Sequence, residues 1–181
     1  MGTDIEKKIA EAIRQGDNRA VRLFYAHYGG QLTAVCSRYV SNDDDVKDVM
    51  QDAMLSIISH IDSFTYRDKG SFKAWATRIV VNRSISFIRQ KRREEELFAN
   101  QTLPDVAEEE PQLDTFTPEI IHEAIRALPD GYRMVFNLFV LEGKNHHEIA
   151  EILGIKPDSS ASQLHRAKRM LAKELNKRKR V

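Results

Sequence analysis

With 181 residues, the chain can fold as one domain or as two small ones, each long enough to bury a modest core. Its 41% hydrophobic and 30% charged residues indicate a soluble globular protein and argue against a disordered one. The longest apolar stretch, Met134 to Leu141, is far shorter than the roughly 20 residues of a bilayer span, and early charged residues argue against a signal peptide. We therefore expect a cytoplasmic protein that does not insert into a membrane.

The net charge of +1 conceals a strong segregation of charge along the sequence. Residues 1–93 carry a net charge of +5, residues 94–117 carry −8 without any lysine or arginine, and residues 118–181 carry +4. Three of the five prolines lie within or directly after the acidic segment, which has few apolar residues and so predicts an extended, flexible linker. We predict an all-α protein with two small helical domains, 1–93 and 118–181, joined by the acidic linker 94–117. Two basic domains favour binding to a polyanion.

The first 103 residues contain no proline, and their apolar spacing predicts only helices. A first helix ends near Gly16, after which Asp17 can cap a second helix. The apolar face of the first helix consists of Ile5, Ile9 and Ile13. We predict that the second helix ends at Gly29 and Gly30 and that a third helix spans residues 32–39.

Two longer amphipathic helices are predicted at about 43–62 and about 71–93. The first has a broad apolar stripe, and its far side carries an exposed row of Asp45, Asp48, Asp52 and Leu55. An acidic row beside an exposed leucine indicates a docking surface for a basic protein partner, because charge complementarity sets register and association rate. The alternative is an ordinary solvated helix start, where acidic residues are favoured.

The second of these helices contains seven lysines and arginines and no acidic residue over residues 71–93. Its predicted apolar stripe consists of Phe72, Ala76, Ile79 and Phe87. Its polar face carries Arg78, Asn82 and Arg89. This asymmetry favours binding along a DNA backbone, with Asn82 presented to a base. The preceding loop, 64–70, and the helix start contain aromatic residues that we interpret as core, with stacking on an unpaired base as the alternative; they are Phe64, Tyr66, Phe72 and Trp75.

The C-terminal domain has the spacing of a helix-turn-helix. Asn145 and Glu148 fit a capping box on a helix that ends at Gly154, and Asp158 or Ser159 can cap the helix that follows. One side of this last helix is apolar, and the opposite side carries Ser162, His165, Arg166, Arg169 and Lys173. Such a helix fits the DNA major groove, where arginine and lysine reach phosphates and base edges, although a solvated basic face is the alternative.

Taken together, these motifs resemble the extracytoplasmic-function (ECF) sigma factors of the sigma-70 family, over nearly the whole chain. DVKDVMQDAML (45–55) is similar to the segment with which that family docks on RNA polymerase, and SFKAWATRIVVNRSISFIRQKRR (71–93) resembles its segment for melting and recognising the minus-10 element. IRALPDGYRMVFNLFVLEG (125–143) and HEIAEILGIKPDSSASQLHRAKRMLAKEL (147–175) resemble its region 4. The resemblance implies sigma region 2 in the first domain and region 4, which binds the minus-35 element, in the second.

The resemblance implies a protein that binds core RNA polymerase and promoter DNA and requires neither a cofactor nor a small-molecule substrate. Core-polymerase binding is then expected from Asp45, Asp48, Gln51, Asp52 and Leu55. Minus-10 binding is expected from Asp68, Lys69, Gly70, Ser71, Arg78, Asn82 and Arg89. Minus-35 binding is expected from Ser162, His165, Arg166, Arg169 and Lys173. The family also admits an anti-sigma factor as partner, and usually has an apolar residue at the position of Ser160.

Two other classes of function compete with this prediction. A transcription regulator would bind its DNA site through the helix-turn-helix without polymerase. An enzyme would need a catalytic motif, but His146-His147-Glu148 lacks the HExxH spacing, and no phosphate loop, nucleophile elbow or dinucleotide fingerprint occurs. We therefore predict no catalytic activity and no metal site. Cys36, the only cysteine, excludes an internal disulfide, and we interpret it as a small core residue, with a redox role as the alternative.

Overall fold

A computed structural model describes the backbone of residues 3–96 and 116–178, and the side chains within 5–91 and 116–177. The described residues form helices joined by short turns and loops, and they contain no strand. Their α-helices are α1 (Thr3–Arg14), α2 (Asn18–Tyr39), α3 (Asp43–Ser59), α4 (Ser71–Glu96), α5 (Pro118–Arg126), α6 (Asp130–Phe136), α7 (His146–Leu153) and α8 (Pro157–Arg178). A 3-10 turn, Ile61–Ser63, follows α3, and a π-helical turn, Asn137–Leu141, continues α6.

The chain folds into two compact units. The first comprises Met1–Ser37 and Asn42–Phe87, and the second comprises Arg38–Ser41 and Ile88–Val181. The prediction of an all-α protein with two helical domains and a C-terminal helix-turn-helix is confirmed. The exact domain limits, 1–93 and 118–181, stay a prediction, and the acidic linker falls largely outside the described residues.

The predicted boundary between the first two helices is confirmed, but the buried face of α1 differs from the prediction. Gly16 has a positive φ of 79°, and the Asp17 carboxylate accepts from the backbone N–H of Arg19 at 2.8 Å as a helix cap. Ile5 is 59% exposed, whereas Glu6 is buried beside Ile9 and Ile13. Apolar spacing alone selected Ile5, because the residues that hold the Glu6 carboxylate lie far away in the sequence.

The predicted helix break at Gly29 and Gly30 is wrong, because α2 runs without interruption from Asn18 to Tyr39. A glycine inside a helix costs only about 1 kcal/mol relative to alanine. Burial on both sides of the glycine pair outweighs that cost, since one face of α2 enters the core throughout its length. That face consists of Ala20, Phe24, Tyr28, Leu32, Cys36 and Tyr39.

Aromatic side chains form the centre of the first unit. The rings of Phe24 and Phe64 lie 4.9 Å and 4.8 Å from the ring of Phe72, and Trp75 lies 5.3 Å from Phe64. Phe24, Phe64 and Phe72 are buried. These distances are typical of favourable aromatic packing, so the interpretation of the loop aromatics as core residues is confirmed for Phe64 and Phe72.

The buried stripe of α4 is rotated from the predicted one. Phe72 and Ala76 are buried as expected, but Ile79 and Phe87 are only half-buried. The stripe instead continues at four-residue spacing through Val80, Ser84 and Ile88. Ser84 fits this apolar face because its hydroxyl donates to the Val80 carbonyl at 2.8 Å, so no buried polar group is left unpaired. Arg83, which the predicted stripe would have crowded, is exposed.

In the second unit, α8 packs against α5, α6 and α7. The α8 residues that enter this core are Ser160, Leu164, Ala167, Leu171, Ala172 and Leu175. Arg133 is buried at the junction of α5 and α6, where it pairs with Asp130 and donates to the carbonyls of Arg126 and Leu128. These bonds compensate the desolvation that lowers the pKa of its guanidinium.

The turn of the helix-turn-helix is built as predicted except at the start of α8. The Asn145–Glu148 capping box is present, and Gly154 ends α7 in the left-handed conformation with φ of 67°. Asp158 and Ser159 were the predicted caps of α8, but the helix already begins at Pro157. Proline is favoured at the first helical position because its missing N–H has no partner there in any case.

Alanine substitution should have opposite effects on stability at the helical Gly30 and at Gly154, which has a positive φ. Gly30→Ala should raise the free energy of unfolding by about 0.5–1 kcal/mol, because the residue is helical and a Cβ there meets nothing within 4 Å. Gly154→Ala should lower it by about 1–2 kcal/mol, because φ is positive. Urea denaturation followed by circular dichroism measures both, and shifts of the same sign would contradict the backbone assignment.

Candidate docking and nucleic-acid-binding surfaces

The predicted docking residues lie on the exposed face of α3. Asp48, Gln51, Asp52 and Leu55 are exposed and Asp45 is half-buried. At 100° per residue they span an arc of about 120°, opposite the buried stripe of this helix. Leu55, with 66% of its surface exposed, is the apolar centre of this row. The face therefore combines several carboxylates with one large exposed apolar side chain.

A groove next to this face was not predicted from the sequence. It has a volume of about 600 Å³ and lies between α2 and α3. Its lining includes Val21 and Tyr25 from α2 and Met50, Met54, Leu55 and Ile58 from α3. Tyr25 is 52% exposed, a strong exposure for an aromatic side chain in a helix. Helical spacing within α3 does not show that Val21 and Tyr25 of α2 lie beside it, so the sequence did not indicate this groove.

Charge at the start of α3 is partly balanced within the helix. Asn42 caps it by accepting from the backbone N–H groups of Asp44 and Asp45, at 2.8 Å and 3.0 Å. Lys47 pairs with Asp44 at 2.7 Å, which holds the pKa of the Asp44 carboxyl below its usual range. Lys47 thus offsets one carboxylate of the first turn, whereas Asp48 and Asp52 lie exposed farther along the helix.

The loop before α4 forms a tight turn that displays two opposite charges. The Asp68 carbonyl accepts from both the backbone N–H and the hydroxyl of Ser71, at 3.1 Å and 2.7 Å. Asp68 and Lys69 are exposed, and Gly70 adopts a positive φ of 94°. These two bonds close the turn, and the side chains of Asp68 and Lys69 project from it into solvent.

The predicted polar face of α4 begins directly after this turn. Ser71, Arg78, Asn82 and Arg89 fall within an arc of about 40° at 100° per residue, and the last three are exposed. Ser71, Arg78 and Asn82 belong to the first unit together with the turn. Arg89 belongs to the second unit, where its guanidinium donates to the carbonyl of Ile152 at 3.2 Å.

The basic face of α8 has exposed and half-buried parts. Ser162, His165 and Arg166 are exposed near the start of the helix, whereas Arg169 and Lys173, one and two turns farther, are half-buried. The Arg166 guanidinium donates to the Tyr132 hydroxyl at 3.4 Å. Tyr132 was not among the predicted site residues, because nothing in its sequence position indicates that α6 reaches the exposed face of α8.

Ser160, a polar residue on the buried side of α8, is accommodated by a polar contact. It is fully buried, and its hydroxyl lies 3.0 Å from Nδ1 of His146, the first residue of α7. The His146 ring in turn stacks on Phe139 at 4.8 Å. The pKa of Glu148 is held below its usual range by the backbone N–H of Asn145 and then by Lys144. These contacts fix α7 relative to the start of α8.

Other kinds of site are not found in the described part of the chain. Among residues 3–96 and 116–178, no cluster of histidine, cysteine, aspartate or glutamate could hold a metal ion. No helix within those same ranges is long and apolar enough to cross a bilayer. Cys36 is buried, and burial raises the pKa of its thiol, which disfavours the reactive thiolate.

Two family models match the chain, one on each side of the acidic segment. The model for Sigma-70 region 2 matches residues 24–94, and the model for Sigma-70, region 4 matches residues 119–171. The first match contains the α3 face, the turn before α4 and the polar face of α4. The second contains the α8 face up to Arg169, and Lys173 lies two residues beyond its end. Fold and sites therefore define a sigma factor of the sigma-70 family.

Full-length relatives refine this assignment. The chain is 27% identical to the ECF RNA polymerase sigma-E factor of Haemophilus influenzae, over 94% of this chain and 95% of that protein. It is 29% identical to the ECF RNA polymerase sigma factor SigW of Bacillus subtilis, over 93% and 96%. The solved structure of the sigma factor RpoE with the anti-sigma factor NepR from Bartonella quintana shares the fold, with a TM-score of 0.50, 22% identity and coverage of 86% and 96%.

The chain belongs to the ECF sigma factors. It directs promoter-specific initiation of transcription by RNA polymerase, and as an initiation factor it is not an enzyme. This confirms the predicted function and the predicted class of partner.

Proposed function

We propose that the two units carry three separate binding surfaces. The α3 face binds core RNA polymerase, the turn Asp68–Ser71 with the polar face of α4 recognises the minus-10 element, and the α8 face recognises the minus-35 element. The observation that supports this division most directly is geometric. On each of these helices the proposed binding residues lie opposite the stripe that is buried in the core, so binding does not disturb packing.

The α3 face has the composition of a protein-docking surface. Asp48 and Asp52 supply negative charge one turn apart, and Leu55 supplies an apolar anchor at the edge of the groove. Basic residues on the polymerase would pair with the carboxylates, while the groove between α2 and α3 would receive an apolar side chain. Tyr25 and Ile58 extend the proposed surface beyond the residues predicted from sequence.

The proposed minus-10 surface suits an unpaired DNA strand. The turn contributes a carboxylate, an ammonium group and a hydroxyl, and Arg78 and Asn82 continue the row along α4. Arginine contacts phosphates without regard to sequence, whereas asparagine makes paired hydrogen bonds to adenine. Arg89, which donates to Ile152, is better placed for backbone contact than for base recognition.

The proposed minus-35 surface is centred on the second and third turns of the exposed α8 face. Ser162, His165 and Arg166 present donors and acceptors in a row that can enter a major groove. Arg169 and Lys173, being half-buried, are placed to contact phosphates at the edge of the site. Tyr132 would hold Arg166 in position for a base contact through its hydroxyl.

We further propose that the protein works in the cytoplasm, where RNA polymerase and promoters are, and that an anti-sigma factor regulates it. A sigma factor of the same fold from Bartonella quintana was crystallised with the anti-sigma factor NepR. The exposed groove between α2 and α3 offers an apolar surface on which such a partner would compete with polymerase.

The assignment of these three binding surfaces predicts that tight promoter binding depends on polymerase. Gel-shift titration of promoter fragments with the sigma factor alone and with the reconstituted holoenzyme measures this directly. We expect sequence-specific binding with core enzyme and only weak, salt-sensitive binding without it. Equal specific affinity in both titrations would contradict the proposed dependence of promoter binding on polymerase.

Reversing charge on the docking face should weaken polymerase binding. Asp48→Lys combined with Asp52→Lys should raise the dissociation constant for core enzyme by about tenfold or more, since like charges at an interface cost several kcal/mol. A fluorescence-anisotropy titration with core enzyme provides the constant. The control is Glu123→Lys with Glu151→Lys, which makes the same charge change at exposed positions of the second unit. Equal effects of the two pairs would mean that only net charge matters.

Loss of Arg166 should weaken recognition of the minus-35 element. Arg166→Ala should cost about 1–3 kcal/mol of binding free energy if the side chain makes a paired base contact. Holoenzyme footprints on templates with intact and substituted minus-35 elements measure the difference. Lys168→Ala removes an exposed charge from the same helix outside the proposed row and is the matched control. An unchanged footprint for Arg166→Ala would move the base contact to another residue.

A further inference from the structure

Helix α1 is attached to both ends of the loop that leads into α4. At the far end of the loop, the Glu6 carboxylate accepts from the backbone N–H of Gly70 at 2.8 Å. At the near end, the Arg14 guanidinium donates to the carbonyls of Ile61 and Phe64, at 3.1 Å and 3.0 Å. The two α1 residues are eight positions apart, so both lie on the side of the helix that faces the loop.

The Glu6 contact is a buried, charge-assisted one. Only 6% of Glu6 is exposed, and its second carboxylate oxygen accepts from the Tyr28 hydroxyl at 2.5 Å. Burial, and then the hydrogen bond and charge of Glu6, raise the pKa of Tyr28, so this hydroxyl stays a donor at physiological pH. A buried carboxylate is retained only where its hydrogen bonds replace those of water, and here one of the two donors belongs to the loop.

Glu6 binds the turn at Gly70, the residue whose backbone has the most conformational freedom. Gly70 has a φ of 94°, a conformation that glycine can leave easily because its backbone is otherwise permissive. Asp68 and Lys69, which carry the charged groups of the turn, directly precede it. Fixing the Gly70 N–H therefore fixes the direction in which these two side chains project.

The Arg14 contact restrains the other end of the loop in the same way. Its guanidinium binds two backbone carbonyls, and its Nε lies 3.3 Å from the carboxylate of Asp62. Phe64, one of the two carbonyl acceptors, is anchored in the aromatic core through its ring. The loop is thus held by packing and Arg14 at one end and by Glu6 at the other.

We propose that Glu6 and Arg14 of α1 are positioning residues for minus-10 recognition: they hold the turn Asp68–Ser71 in the conformation that binds the displaced strand. The inference rests on the proposed role of that turn in minus-10 binding. Neither residue touches DNA in this mechanism. Both precede residue 24, where the match to the Sigma-70 region 2 model begins, so they lie outside the matched residues.

The experiment compares base preference at two promoter elements within one transcription reaction. Holoenzyme reconstituted from purified core RNA polymerase transcribes a template library that is randomised at the minus-10 and minus-35 elements, and sequencing of the transcripts gives both preferences. The variants are Glu6→Ala, Glu6→Gln and Arg14→Ala. Glu11→Ala, an exposed acid on the same helix, is the control. Thermal unfolding by circular dichroism accompanies each variant.

We expect Glu6→Ala and Arg14→Ala to reduce the base preference at the minus-10 element by about tenfold and to leave the preference at the minus-35 element unchanged. A tenfold change corresponds to the loss of about one charge-assisted hydrogen bond. Glu6→Gln should restore most of the preference, because its oxygen can accept from Gly70 and its amide can donate to the Tyr28 oxygen. Glu11→Ala should resemble the unmodified protein. Selective loss with rescue by glutamine is the result that a merely structural role would not produce.

Three results would overturn the inference. One is an unchanged minus-10 preference in both alanine variants. Another is an equal loss of preference at both elements without rescue by Glu6→Gln, which would mean that Glu6 contributes only to general stability. If Glu6→Ala does not fold, Arg14→Ala and Glu6→Gln distinguish a positioning role from a role in stability. The third concerns the proposed function itself. If the double variant Asp68→Ala with Lys69→Ala also leaves the minus-10 preference unchanged, the turn does not recognise that element. If the double variant lowers this preference and the α1 variants do not, only the role of α1 is rejected.

Discussion

The packing of Phe72 against Phe24 and Phe64 is the interaction on which the first unit depends. It joins the long helix α2, the loop before α4 and the first turn of α4 at one buried point, so three segments that are distant in sequence acquire fixed relative positions. The exposed turn Asp68–Ser71 and the polar face of α4 begin within one or two turns of that point. The surface that we propose for minus-10 recognition is thus attached directly to this buried cluster, and a surface held in position before binding lowers the entropy that binding would otherwise cost.

In the second unit, polar contacts hold the helices in fixed relative positions. The capping box of Asn145 and Glu148 begins α7, the left-handed Gly154 ends it, and Ser160 with His146 links its first turn to the buried side of α8. Each contact satisfies groups that a helix end or a buried hydroxyl would leave unpaired. The Ser160 contact also shows how a helix-turn-helix tolerates a polar residue at an apolar position: the neighbouring helix supplies a ring nitrogen, and stacking on Phe139 orients that ring.

Local signals in the sequence were sufficient to predict much of this structure. Asp17, the capping box and Gly154 act within three or four residues, and the acidic row of α3 follows from helical spacing alone. Most of the errors have a common cause in partners that are remote in sequence. The start of α8 at Pro157 is the exception, since proline is a local signal. Glu6 is buried because Tyr28 and Gly70, 22 and 64 positions away, donate to it. The glycine pair remains helical because Phe24 and Leu32 on either side of it are buried in the same core. Tyr132 reaches Arg166 across 34 positions. Spacing along one helix carries no information about such pairs, so the sequence indicated the surfaces but not the residues that orient them.

The single cysteine of this chain has a practical consequence for studying how it works. Cys36 is sealed within the first unit, and burial raises the pKa of its thiol. The described surface accordingly exposes no thiol of its own. A cysteine substituted for an exposed serine such as Ser86, paired with another at Glu123 in the second unit, would take up a maleimide dye at those two places without removal of the native residue. Distances between the two units could then be followed by energy transfer while the protein is free, bound to polymerase or engaged on a promoter.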